Sequence, residues 1–123
     1  MSRYNKDLGD FGEAAAARYL EENGMEVTGR NFRTRGGEID IVAEDNGTLV
    51  FVEVKTRSSE KFGYPSEAVD FNKIEHMKAA AEHYFRQHPT DGEIRFDVVE
   101  VEAVMVGGVP RLFKINHIKD ILN

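Results

Sequence analysis

The chain has 123 residues, 41% of them hydrophobic, and no cysteine. That is enough for one compact domain over residues 1–123 and too little for two, and it excludes disulfide or thiolate–zinc support. A net charge of −6 counts against indiscriminate nucleic-acid binding, which usually needs a basic surface, but leaves room for a local basic groove. No secretory signal, membrane-length apolar run or lipidation motif is visible, so the expected setting is cytoplasmic, with no membrane partner.

In chain order, the first element is a helix from about Asn5 to Asn23, closed by Gly24 as the residue after its C-terminus. At 100° per residue, Leu8, Gly12, Ala16, Tyr19 and Leu20 form a broad apolar arc, with Arg18, Glu21 and Glu22 opposite. Glu13 falls inside that arc, where a carboxylate is costly unless it is paired or bound to a cation. Pairing with Arg33 or Arg35, leaning out from the margin, and cation binding all remain open. A strand is expected near Met25 to Arg33. Arg30, Arg33 and Arg35 then lead into Gly36-Gly37, which reads as a basic, flexible approach to the next strand. It is either a phosphate-contacting segment or three solvated arginines.

The central signal is Gly37-Glu38-Ile39-Asp40-Ile41-Val42, an Asn46-Gly47 turn, and Val50 through Arg57. Asn-Gly between β-rich runs is a strong hairpin signal, because both turn positions need positive φ. Counting back from that turn pairs Val42 with Phe51, Asp40 with Glu53, and Glu38 with Lys55. Strict alternation puts Ile39, Ile41, Val50, Val52 and Val54 on the core face, and Asp40, Glu53 and Lys55 together on the other. Facing carboxylates repel by roughly 3 kcal/mol at ~5 Å if the effective dielectric constant is about 20. A divalent cation would offset this, since Mg²⁺ and Mn²⁺ take carboxylate, carbonyl and water oxygens. So would a solvated edge with Lys55 and Arg57 as partial neutralisers. Lys55 favours the cation, because its ammonium could orient water or stabilise transition-state charge.

Ser58 to Ser66 reads as a loop, in which Phe62 and Tyr64 either cap the core or stack on an unpaired base. The second helix should run from an Asp70 or Asn72 cap to Gln87, before Pro89, with Ile74, Met77, Ala81, Tyr84 and Phe85 as its core stripe. Lys73, in its first turn, is either solvated or reaches a phosphate or the acidic pair. His76, His83, His88 and His117 lack metal-ligand spacing and read as surface or boundary residues. A strand near Ile94 to Val104, a Gly107-Gly108 turn, a short strand near Leu112 to Ile115 and a helical turn at His117 to Leu122 complete the chain. The order αβββαββ, with a short C-terminal helix, predicts an α/β fold in which helices flank a mixed sheet.

Asp40, a short gap across a hairpin, and Glu53-Val54-Lys55 resemble the core of the PD-(D/E)XK nuclease superfamily, which includes restriction endonucleases and archaeal Holliday-junction resolvases. The whole chain is similar to the YraN-like family of small bacterial proteins through Gly12-Glu13, Asn31-Phe32-Arg33, Gly37 to Ile41, Phe51 to Arg57, and a Lys-bearing helix from Asp70 to Phe85. The resemblance implies a restriction-endonuclease-like fold and metal-dependent attack of water on a phosphodiester. Asp40, Glu53 and the Val54 carbonyl would hold Mg²⁺ or Mn²⁺, Lys55 would act on the water or the developing charge, and Glu13 occupies the place of the helix-one glutamate that joins the metal site in related resolvases. Arg33, Arg35, Arg57 and Lys73 are the expected nucleic-acid contacts. The expected substrate is branched or single-stranded DNA rather than RNA, and a homodimer would supply two sites. Ile39 stands where the superfamily's name has proline, at a position that varies across it. Two other readings stay open: a module on the same fold that holds nucleic acid without cutting it in support of recombination or repair, and a protein-interaction domain with a structural cation.

Overall fold

Asn46 and Gly47 adopt φ of 51° and 89°, and the strands they join pair in the register counted from the sequence, Asp45 with Thr48 and Val42 with Phe51. This hairpin is the middle of a five-stranded sheet. The computed structural model describes residues 3–58 and 71–122, with side chains from residue 6. Its elements are α1 (Arg3–Glu22), β1 (Glu26–Arg33), β2 (Glu38–Asp45), β3 (Thr48–Ser58), α2 (Phe71–Gln87), β4 (Ile94–Val106) and β5 (Val109–Ile118). The strands lie side by side in chain order. All neighbours are antiparallel except β3 and β4, which are parallel and joined through α2. This is the mixed α/β order αβββαββ. None of the described helices is long and apolar enough to cross a membrane.

The two helices cover opposite faces. On one, Ala16, Ala17 and Leu20 of α1 pack on Ile41, Ala43, Val50, Val52, Val99 and Val101; on the other, Met77, Ala80 and Ala81 of α2 pack on Val42, Leu49 and Phe51. Along β3 the faces alternate as period two demands, and Val54 joins the α1 side. Gly12 lets α1 sit this close, since a methyl group there would overlap the Thr56 side chain of β3. The expected α1 arc is thus largely correct, with Ala17 added to it. In α2 the stripe is Ile74, Met77, Ala80 and Ala81, with Tyr84 partly buried. Asn72 lies inside that helix, whereas Asp70 and the Phe62 and Tyr64 loop fall outside the described residues.

The C-terminus departs from expectation. The strand after Gly107-Gly108 is ten residues long and runs through His117 to Ile118, followed by a turn rather than a helix. A buried charge explains why. Asp97 of β4 is fully buried and accepts hydrogen bonds from Arg95 (Nε 2.9 Å, Nη2 3.0 Å) and from the Asp120 amide (2.9 Å). His117 Nε2 lies 2.8 Å from the same carboxylate, and its Nδ1 lies 3.2 Å from the Tyr19 hydroxyl on α1. His117 must stay in strand register to reach both; as a residue it is half-buried, within the surface-or-boundary expectation, but its side chain is only 4% exposed. Burial pushes the Asp97 carboxyl up, but the bonds from His117, Arg95 and the Asp120 amide outweigh it and hold the group below its ordinary range. β5 is the outer strand on this side, with Val109, Leu112 and Phe113 exposed and Pro110 among them.

Two stability measurements follow from this packing. Gly12→Ala should lower the urea-unfolding free energy by about 1–3 kcal/mol through overpacking, and adding Thr56→Ala should recover part of that loss. Asp97→Ala, which leaves Arg95 with Asp45 as its remaining carboxylate and strands the His117 ring and the Asp120 amide, should cost about 3 kcal/mol in the same assay.

Candidate metal centre

The regular β2–β3 ladder stops at Ile41 with Val52. Beyond it, β2 continues to pair with β1, Phe32 with Ile39 and Arg33 with Glu38. Opposite Asp40 stands Asn31, which holds a left-handed φ of 55°. A residue of this kind breaks alternation, and asparagine tolerates it better than most side chains. Ile39 accordingly packs with Met77 under α2, while Ile41 packs under α1. The expectation that these two isoleucines share a face is therefore incorrect, because the register counted from the turn holds only as far as Ile41 with Val52.

This irregularity turns the Asp40 side chain toward β3. Its Oδ2 accepts a hydrogen bond from the Val54 amide at 2.8 Å, replacing the main-chain partner that a continued β2 would have supplied. In a strand the N–H and C=O of one residue leave on the same edge, so the Val54 carbonyl also faces the gap. Glu53, adjacent in sequence, is 12% exposed, and its carboxyl is 3.5 Å from Lys73 Nζ of α2. Burial, then the Asp40 carboxylate as hydrogen-bond partner and like charge, push the Glu53 carboxyl up to about 8, with Lys73 opposing them. The acidic pair is thus brought together, but by strand splaying rather than as direct cross-strand neighbours. Glu38 does not face Lys55; it pairs with Arg33 at 3.3 Å.

Glu13, Asp40, Glu53, Val54, Thr56, Asn31, Arg33 and Lys73 line one cavity of about 620 Å³, rimmed by the first turns of α1. Glu13 is 15% exposed and is held by Arg30 Nε at 3.1 Å and Asn31 Nδ2 at 2.7 Å. Its partner is neither Arg33 nor Arg35. Lys55 follows Glu53 on the same face of β3, alongside Glu100 of β4, and is not among the residues lining that cavity. Arg57, 19% exposed, has its guanidinium 3.5 Å from Glu100 and 3.6 Å from Glu102, so it is tied to the sheet rather than offered to a phosphate. Among the described residues, no three His, Cys, Asp or Glu side chains are gathered to hold a metal ion. The donors that do converge are all hard oxygens, the Asp40 and Glu53 carboxylates and the edge that carries the Val54 carbonyl. Such a set suits Mg²⁺ or Mn²⁺, which are commonly held by one or two carboxylates, with water and substrate oxygens completing the shell.

A second cavity, about 420 Å³, shares Arg33, Glu38, Glu53 and Lys73 with the first and adds Thr34, Arg35, Gly36, Gly37 and His76. The arginine-bearing turn that borders it is not the loose arm expected from sequence. Thr34 Oγ1 accepts from the Gly36 and Gly37 amides at 3.2 and 3.1 Å, and the Thr34 amide donates to the Gly37 carbonyl at 2.8 Å. A methyl group on Gly37 would collide with the His76 carbonyl of α2. Sequence reasoning missed Asn31, Thr34 and His76 as parts of this site. An asparagine within a β-rich run, three residues before a Thr-x-Gly-Gly turn, was the available sign.

A family model described as "Uncharacterised protein family UPF0102" matches residues 12–101, a stretch holding every site residue named above. A UPF0102 protein of Caldicellulosiruptor bescii is 48% identical over 117 residues, covering 94% of this chain and 96% of the relative. Those of Alkaliphilus oremlandii and Geobacter metallireducens are 44% and 43% identical, covering 94% and 95% of this chain and 97% and 100% of the relatives.

The raised Glu53 value has a measurable consequence. Between 4.5 and about 8 the native carboxyl keeps a proton that the unfolded chain has released, so its contribution to stability falls as pH rises through that window. In chelator, denaturant titrations at pH 5 and 8 should show wild type losing more stability than Glu53→Gln. Equal losses would remove the shared-proton description of the pair.

Proposed function

The chain belongs to the UPF0102 family, and we propose that it is a metal-dependent enzyme of the PD-(D/E)XK type that hydrolyses phosphodiester bonds in branched or single-stranded DNA in the cytoplasm. The observation that carries this reading is the break in the β2–β3 ladder, which directs the Asp40 carboxylate, Glu53 and the exposed edge of Val54 into one cavity. Unneutralised, that arrangement is costly enough to leave Glu53 holding a proton up to about 8. A cation would replace the proton, and hydrolysis of a polyanionic strand is the chemistry that most needs one.

In this reading Asp40, Glu53 and the Val54 carbonyl hold Mg²⁺ or Mn²⁺, and Glu13 stands behind them, positioned by Arg30 and Asn31. The bound ion supplies Lewis-acid polarisation of the phosphoryl oxygen and lowers the pKa of its water. Lys55, two residues after Glu53 on β3, approaches from the α2 face and stabilises charge on the reacting phosphoryl group. Lys73 and Arg33 border the cavity and bind substrate phosphates, and single-residue loss of either weakens binding rather than chemistry. A second reading, a module that grips nucleic acid without cutting it, is favoured by the commitment of one Asp40 oxygen to the Val54 amide.

The deciding experiment incubates purified protein with single-stranded, flapped and four-way DNA, and with RNA, in Mg²⁺ or Mn²⁺. Wild type should cut DNA, Asp40→Asn and Glu53→Gln should abolish cutting, and Lys55→Ala should reduce kcat by about 10²-fold or more. Wild type that cuts nothing yet shifts DNA in chelator sinks the enzyme and leaves the binding module. Activity that survives in all three variants belongs to a contaminant.

A further inference from the structure

The cavity beside the acidic pair is walled by two elements distant in sequence, the Arg33–Gly37 turn and the first turns of α2. Each supplies a nitrogen-bearing side chain with no described partner. Arg33 is engaged by Glu38 and Lys73 by Glu53, whereas Arg35 from the turn and His76 from α2 line the same cavity with neither a hydrogen bond nor an ion pair among the described residues. The walls are pinned to each other, because Gly37 lies against the His76 main chain and Gly36 against Ala79, while Thr34 locks the turn internally. Both side chains are exposed and border one cavity whose walls are pinned together, so an arriving anion meets a guanidinium and an imidazole without the main chain having to move.

We propose that Arg35 and His76 form a phosphate subsite for the nucleotide next to the one presented to Asp40 and Glu53. This rests on the hydrolytic reading for what lies at the acidic pair, but not for the subsite itself. Glu53 and Lys73 line both cavities, so a strand whose one phosphate sits at the acidic pair continues directly between Arg35 and His76. The ligand chemistry is a phosphate group on a nucleic-acid strand, either an internal phosphodiester or a terminal monoester. A guanidinium grips either with paired N–H donors, and the imidazole adds a donor from the opposite side.

The test uses the whole chain in chelator, so that binding is read without turnover. Oligothymidylates of two to six nucleotides, with and without a 5′-phosphate, are titrated into wild type, Arg35→Ala, His76→Ala and, as a surface control on the distant hairpin, Arg111→Ala. Arg35→Ala and His76→Ala should each weaken binding about 5- to 20-fold, and Arg35→Ala should flatten the log–log salt dependence by roughly one phosphate contact. Arg111→Ala should bind like wild type. Tighter binding of the 5′-phosphorylated strands that disappears in Arg35→Ala identifies a terminal phosphate; equal binding of both forms, weakened equally, identifies an internal one. Mn²⁺ affinity, measured separately by calorimetry, should be unchanged in both variants. Binding indistinguishable from wild type in both variants, or a parallel loss of Mn²⁺ affinity, overturns the subsite. Strand binding that depends on Arg35 and His76 in a protein that never cleaves DNA keeps the subsite and removes the hydrolytic reading. Cleavage with unchanged KM in both variants does the reverse.

Discussion

The rest of the site depends on the failure of β2 to stay paired with β3 beyond Ile41. A continuous antiparallel ladder would satisfy the Val54 amide with main chain, and Asp40 and Glu53 would stand side by side on one face. Instead, left-handed Asn31 turns β1 over, β2 follows its partner, and the Asp40 carboxylate replaces the missing main-chain acceptor. One local conformation therefore accounts for the cavity, for the Val54 edge facing it, and for the switch of Ile39 to the α2 layer. Asn31 also donates to Glu13, so the residue that breaks the sheet ties α1 to the break.

Much of this frame was legible in the residues. Asn46-Gly47 set the hairpin register correctly as far as Ile41 with Val52, because a two-residue turn with positive φ at both positions allows little slippage. The α1 and α2 stripes were legible because helical periodicity survives the substitution of one apolar side chain for another. What alternation could not show was its own interruption. Nothing in Ile39-Asp40-Ile41 distinguishes a regular strand from one that changes face, and the cause lies nine residues earlier on a different strand. The same limit applies to His117. Its burial follows from Asp97, twenty positions away, and from Tyr19 on α1, ninety-eight positions away, so no local pattern pointed to it. The C-terminal helix failed for the same reason: the tertiary contacts of His117 and the Asp120 amide outweigh a weak local preference.

The charge distribution explains how an acidic protein can present a cationic edge. Several carboxylates are spent internally, Glu13 on Arg30, Asp97 on Arg95 and His117, and Glu100 and Glu102 on Arg57. Net charge counts these as if they faced solvent. What a strand approaching the α2 edge of β1 and β2 would meet is Arg33, Arg35, Lys73 and His76, with Glu38 and Glu53 between them. On the proposed reading the overall negative balance would work as a filter, because attraction to a polyanion would be confined to this edge while the net charge disfavours loose association elsewhere.

The outer strand β5 bears on how this molecule behaves in crowded surroundings. An open edge with Val109, Leu112 and Phe113 exposed would ordinarily invite another chain to dock main chain to main chain. Pro110 pairs with Met105 one step beyond the two-residue turn, a position whose nitrogen points away from β4 and which, in proline, carries no hydrogen. A strand arriving there finds a missing rung near the hairpin tip. The proline therefore weakens main-chain docking at the tip of an edge that keeps apolar side chains at its margin.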